Sequence, residues 1–189
     1  MEKMNFNYLS GIKSQASDSI STGSRDRNPL FSSSCESLLQ NRIQQEEQSS
    51  RIYHSMSMWL NNEGYSGAAS LFAKYSAEEN AHAGWSRDYL LAMGITPNTP
   101  LLTAEPSSYQ SLPQIIEKAY DHEVEITKQI KEIGQHAMKE GDHMLYTLVA
   151  QYLKEQVEEH DKMQTWIDKL KTFGTDKIAL RWLDEEMGK

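Results

Sequence analysis

A single cysteine, Cys35, stands in a chain of 189 residues. No intrachain disulfide can form, no Cys-x-x-Cys metal knot exists, and a reducing compartment is the expectation. Long apolar runs are missing as well: none approaches the ~20 residues that a bilayer crossing needs. Positive charge is in short supply, with 19 Lys and Arg against 27 Asp and Glu and a formal net charge of -8. That balance makes nucleic acid and anionic lipid poor partners and small cations good ones, although solubility alone is a sufficient reason for it. The N-terminal stretch lacks the apolar core of a secretory signal, and Glu2, Asp18 and Asp26 are out of place in a transit peptide. A cytoplasmic location is therefore expected.

What is present falls into two parts. Residues 1–34 are crowded with serine, from Ser10 to Ser34, and hold few large apolar side chains, which reads as a flexible arm. Residues 35–189 read as one domain, since this length supports one sizeable core and not two. Apolar residues recur there at helical spacing over 35–62, 66–93, 112–139 and 142–171, with turn signals at Asn61-Asn62-Glu63-Gly64, from Gly94 to Pro113, and at Gly141. A shorter fifth segment, 175–187, carries Ile178, Leu180, Trp182 and Leu183. The connection between the second and third helices is about 18 residues long and reaches about 55 Å when extended, enough to run the length of a bundle. The fold expected is all-α: a four-helix bundle with one long crossover and a short C-terminal fifth helix.

Each apolar stripe is interrupted by residues able to bind metal. The first helix places Glu46 and Tyr53 in line with Leu39, Ile43 and Leu60. The second places Glu79 and His82 between Phe72 and Met93. Glu123 is the one carboxylate in a seam of isoleucines, Ile116 to Ile133, and Gln156 and Glu159 lie between Tyr152 and Met163. Antiparallel neighbours put residues equally distant from a turn at one height. Glu46 and Glu79 differ by about 3 Å on that reckoning, at 1.5 Å per residue, and Glu123 and Glu159 are level about Gly141. Any one of these would read as a solvated helix residue. Four carboxylates and an imidazole in one core layer instead demand a compensating charge, and a pair of divalent metals supplies it. The carboxylate-rich shell suits iron or manganese.

The stretches Gln45-Glu46-Glu47 with Tyr53, Ser76 to His82, Tyr120-Asp121-His122-Glu123 and Glu155 to Glu159 together resemble the bacterial non-haem ferritins, over about Leu38 to Met187. The Glu-x-x-His step of Glu79 and His82 is a known device of ferritin-like di-iron bundles. The resemblance implies a first iron on Glu46, Glu79 and His82, with Glu79 bridging to a second iron on Glu123 and Glu159. It implies Gln156 as a hydrogen-bonding neighbour of the second iron and Tyr53 as an electron donor beside the centre, a core tyrosine being the alternative. Glu78, Glu155 and Glu158, with Glu159 shared, resemble a third iron site or else form a solvated acidic patch. Gln156-x-x-Glu159 in place of a second Glu-x-x-His, and Asn80 where bacterioferritins carry a methionine, imply no haem. The function implied is oxidation of Fe(II) with O2 or H2O2 and storage of ferric mineral in a cage of 24 copies. The rival reading is a small di-iron oxidase acting on an organic substrate, which requires an apolar access pocket beside the metals.

Overall fold

The serine-rich stretch ends in a helix cap. The computed structural model describes residues 32–189, and the arm expected over 1–34 otherwise lies outside the described residues. Ser32 is the N-cap of α1 (Ser33–Asn62), its Oγ accepting from the Cys35 backbone N–H at 3.2 Å. Ser33 and Ser34 therefore form the first turn of α1 and are not part of an arm. The chain continues as α2 (Ser66–Ala92), α3 (Leu112–Glu140), α4 (His143–Phe173) and α5 (Lys177–Met187). Local chemistry fixes these ends. Ser111, Asp142 and Asp176 cap α3, α4 and α5 with side-chain oxygens, each satisfying an otherwise unpaired N–H. Gly141 takes the left-handed conformation, φ 71°, that closes α3 and turns the chain into α4.

The helix pairs α1 with α2 and α3 with α4 are antiparallel hairpins, and residues 93–111 form the long crossover between them. Glutamines at every fourth position of α1 hold this crossover in place. Gln40 accepts from Asn98 N–H at 2.8 Å, Gln44 donates to the Leu101 carbonyl at 2.9 Å, and Gln48 both accepts from Thr103 N–H at 2.9 Å and donates to its carbonyl at 3.2 Å. Extended backbone that forms no helix or sheet thus finds its partners on one helix face.

The second helix lacks a side-chain cap of its own, Tyr65 providing none. Asp184 of α5 takes that place, its Oδ1 accepting from Ala68 N–H at 2.8 Å. This orients α5 across the end of the bundle with Leu183 and Met187 buried against the core. Of the apolar residues that the segment carries, Leu183 turns inward, and Ile178 and Trp182 remain exposed.

Two apolar clusters fill the bundle. One gathers Tyr53, Leu60, Phe72, Ile115, Ile116 and Met163 at the α5 end. The other gathers Leu39, Ile43, Leu90, Ile130, Leu145 and Tyr152 at the opposite end. Between them lies a layer of buried polar side chains. Among the described residues no helix is long and apolar enough to cross a membrane.

Candidate metal centre

All four long helices contribute to the layer. Glu46, Glu79, His82, Glu123, Gln156 and Glu159 are each at least nine-tenths buried, and Tyr53 is sealed beside them. One oxygen each from Glu46 and Glu79 and a ring nitrogen of His82 lie within 4.8 Å of one another. Glu79 and His82 owe this to their i,i+3 spacing on α2, and their closest side-chain atoms stand 3.4 Å apart. The Glu46 Oε2 atom is buried without a hydrogen-bond partner. An orphaned carboxylate oxygen in a core costs free energy unless a cation meets it, and three donors of mixed oxygen and nitrogen type at this spacing fit a divalent iron or manganese ion.

Glu123 is held separately. Tyr53 Oη donates to its Oε1, and Gln156 Nε2 donates to its Oε2 at 3.1 Å. The Thr127 hydroxyl, which also meets His160 Nε2 at 2.9 Å, donates to Gln156 Oε1 at 2.5 Å, so the amide is held at both ends with its NH2 group toward Glu123. Glu159 accepts from Lys162 Nζ at 2.7 Å. Among the described residues no second group of three His, Cys, Asp or Glu side chains closes to the spacing of the first. Glu78 is half-buried and pairs with Lys74 at 3.7 Å, Glu155 is half-buried, and Glu158 is exposed. The structure thus brings Glu46, Glu79 and His82 together, sets Glu123 and Glu159 in the same layer on their own partners, and leaves Glu155 and Glu158 toward solvent.

Sequence reasoning missed four members of this environment. Arg42 is fully buried one turn before Glu46, with Nε 2.8 Å from Glu46 Oε1 and Nη1 donating to Gln129 at 3.2 Å. Lys162 does the corresponding work for Glu159. His122 sits 2.8 Å from the Ser49 hydroxyl and edge-on to the Tyr53 ring at 5.7 Å. Tyr152 donates to the His82 carbonyl at 2.6 Å and so fixes the backbone that carries the imidazole. The spacings of Arg42 to Glu46 and Glu159 to Lys162 were the available signals.

Burial dominates the electrostatics. It raises the Glu46 carboxyl well above its ordinary range, against the lowering effect of Arg42. It pushes Glu79 up to about 8, with the charge of Glu123 adding to the effect. Glu159 is raised for the same reason, opposed by Lys162. A carboxyl whose folded pKa lies above its unfolded value binds protons more tightly when folded. Its contribution to stability is complete below about pH 4.5 and is lost as pH rises through about 8 for Glu79. The metal-free protein is therefore expected to lose stability from pH 5 to 8. Metal ions displace those protons, so titration with Co(II) near pH 7 should release them. Calorimetry in buffers of different ionisation enthalpy checks this, and heats independent of the buffer would contradict it.

The ferritin-like domain family matches residues 36–173. A bacterial non-heme ferritin of Escherichia coli O6:H1 is 30% identical over 149 residues, covering 79% of this chain and 90% of its own. A bacterial non-heme ferritin of Bacteroides fragilis strain 638R is 28% identical over 84% of this chain and 99% of its own. Among solved structures, an open-pore ferritin from the hyperthermophilic archaeon Archaeoglobus fulgidus superposes with a TM-score of 0.81 at 31% identity, covering 84% of this chain and 97% of that one. With the five-helix architecture and the buried polar layer already in place, these likenesses establish that the chain belongs to the ferritin family, alongside the bacterial non-haem ferritins.

Proposed function

We propose that this ferritin serves iron storage by oxidising Fe(II) at a two-iron centre inside each chain and depositing the ferric product as mineral within a closed shell of 24 copies. The observation that carries the reading is the closure of Glu46, Glu79 and His82 in the sealed core with one carboxylate oxygen orphaned. Iron is the substrate. Glu46 and His82 bind the first ion, Glu79 is shared, and Glu123 and Glu159 bind the second. Two Fe(II) ions give up two electrons; with two protons these reduce dioxygen to hydrogen peroxide, or hydrogen peroxide to two waters.

The chain's own part is placement and charge. Gln156, held at its other end by Thr127, holds one Glu123 oxygen, and Tyr53 holds the other while standing near enough to lend an electron. The apolar clusters on either side keep water from the layer and strengthen every charge interaction in it. A groove of about 1010 Å³ runs along the outer face of α1, α2 and the crossover, lined by Arg51, His54, Trp59 and Arg87 among others. None of the five proposed iron ligands lines it, which favours iron over an organic molecule as substrate.

Exposed Ile178 and Trp182 on α5, with Phe173 4.8 Å from Trp182, form an apolar patch at the bundle end that a closed assembly would cover. Aerobic loading with Fe(II) followed by sedimentation tests both parts. A shell of about half a megadalton carrying many more ferric ions than its two-iron centres can hold supports the reading. A monomer or dimer that binds two irons and forms no mineral would replace it with the small oxidase.

A further inference from the structure

Lys162 stands three residues after Glu159 on α4, so both side chains rise from one face of the helix. Its Nζ lies 2.7 Å from Glu159 Oε1; the Glu159 side chain is 3% exposed and that of Lys162 is 37% exposed. Glu78 of α2 pairs with Lys74 at 3.7 Å, its charge adds to that of Glu159 on the Lys162 ammonium, and its Oε2 is buried without a hydrogen-bond partner. Glu78 and Glu159 are the two acids through which a third metal ion would be held with Glu155 and Glu158. Those four do not close to ligand spacing, and a cation already occupies the Glu159 oxygen.

We propose that Lys162 holds the place of a third metal ion: its ammonium is the resident counter-cation of Glu159, it limits each chain to two metals, and it must give up the Glu159 Oε1 atom to an ion that binds there. The proposal rests on the two-iron reading above. An ammonium in contact with Glu159 Oε1 and a divalent ion on the same oxygen repel each other at contact distance. Lysine is suited to yield, since its four-carbon stem is flexible and reaches solvent, so the head can swing out without repacking the core. Arg42 at Glu46 differs, because it is fully buried and forked between Glu46 and Gln129. The two ends of the centre therefore carry one fixed cation and one movable one. Glu46 keeps its orientation through loading, whereas Glu159 changes partner.

Anaerobic calorimetric titration of the full-length protein with Zn(II) tests this. Wild type is expected to take two equivalents. Lys162→Gln should take a third and bind its second about tenfold more tightly, the scale on which neighbours of metal ligands act. Lys162→Arg, which keeps the charge, should stay at two, and Glu78→Gln added to Lys162→Gln should remove the third. A wild type that takes three equivalents and loses one on Glu78→Gln overturns the proposal, as does a Lys162→Gln variant that stops at two with unchanged affinities. Fewer than two equivalents in wild type refutes the two-iron centre instead, and Lys162 is then judged by whether Lys162→Gln gains an equivalent over it.

Discussion

Replacing Glu79 with alanine is expected to abolish rapid Fe(II) oxidation, slowing the initial rate by at least about 100-fold, beyond what loss of a mere neighbour of a ligand costs. Glu79 is the member of the layer on which the other acids converge: it closes with Glu46 and His82, and the charges of Glu123 and Glu159 both act on it. Its loss removes a ligand from both ions under the proposed assignment. The same change relieves a buried, crowded carboxyl, so the metal-free variant should unfold at a temperature no lower than wild type. Loss of activity without loss of stability is the signature of a ligand and not of a packing residue. Glu123→Ala should act on one ion only, leaving a single tight metal site on Glu46, Glu79 and His82, and two tightly bound ions in that variant would contradict the pairing of ligands.

Gly67→Ala should detach α5. A Cβ at this position would stand 1.9 Å from the Asp184 carbonyl oxygen and 3.0 Å from the Gly188 backbone nitrogen, so the obstacle is backbone that cannot rotate aside. Displacing α5 takes the Asp184 cap from Ala68, a loss of about 1 kcal/mol. It also uncovers Leu183 and Met187, which bury for about 1.5–3 kcal/mol each as an upper range. A drop in melting temperature of roughly 10 °C follows for a chain of this size. Since Ile178 and Trp182 are presented by the same helix, assembly should weaken in parallel. A variant that melts with wild type and sediments as a full shell would show that α5 finds an equivalent seat, and the docking account would fail.

Much of this is legible in the sequence alone. Helical periodicity and turn residues place the four long helices, because a stripe of apolar residues at 3.6 spacing has few other uses. Counting residues from the turns brings Glu46, Glu79, Glu123 and Glu159 into one layer, because antiparallel geometry fixes height. The layer's positive members were not legible. Arg42 and Lys162 sit three or four residues from an acid, which on most helices describes a solvated pair, and only burial distinguishes a resident cation from a surface salt bridge. Gln40, Gln44 and Gln48 read as an ordinary polar face, and their function appears once the crossover is laid along them. The Asp184 cap of α2 joins residues 116 positions apart, a contact that no local pattern announces. The inward turn of Leu183 follows from that cap.

Under the proposed function one chain brings two ferrous ions together in the buried layer and oxidises them there. Stopped-flow absorbance during stepwise addition of Fe(II) to the air-saturated protein tests it most directly. The expected trace is a fast ferric signal whose amplitude grows in proportion to iron and breaks at two Fe(II) per chain, with the break lost in Glu79→Ala. Oxidation no faster than in buffer, or a signal that rises with no break, would contradict it.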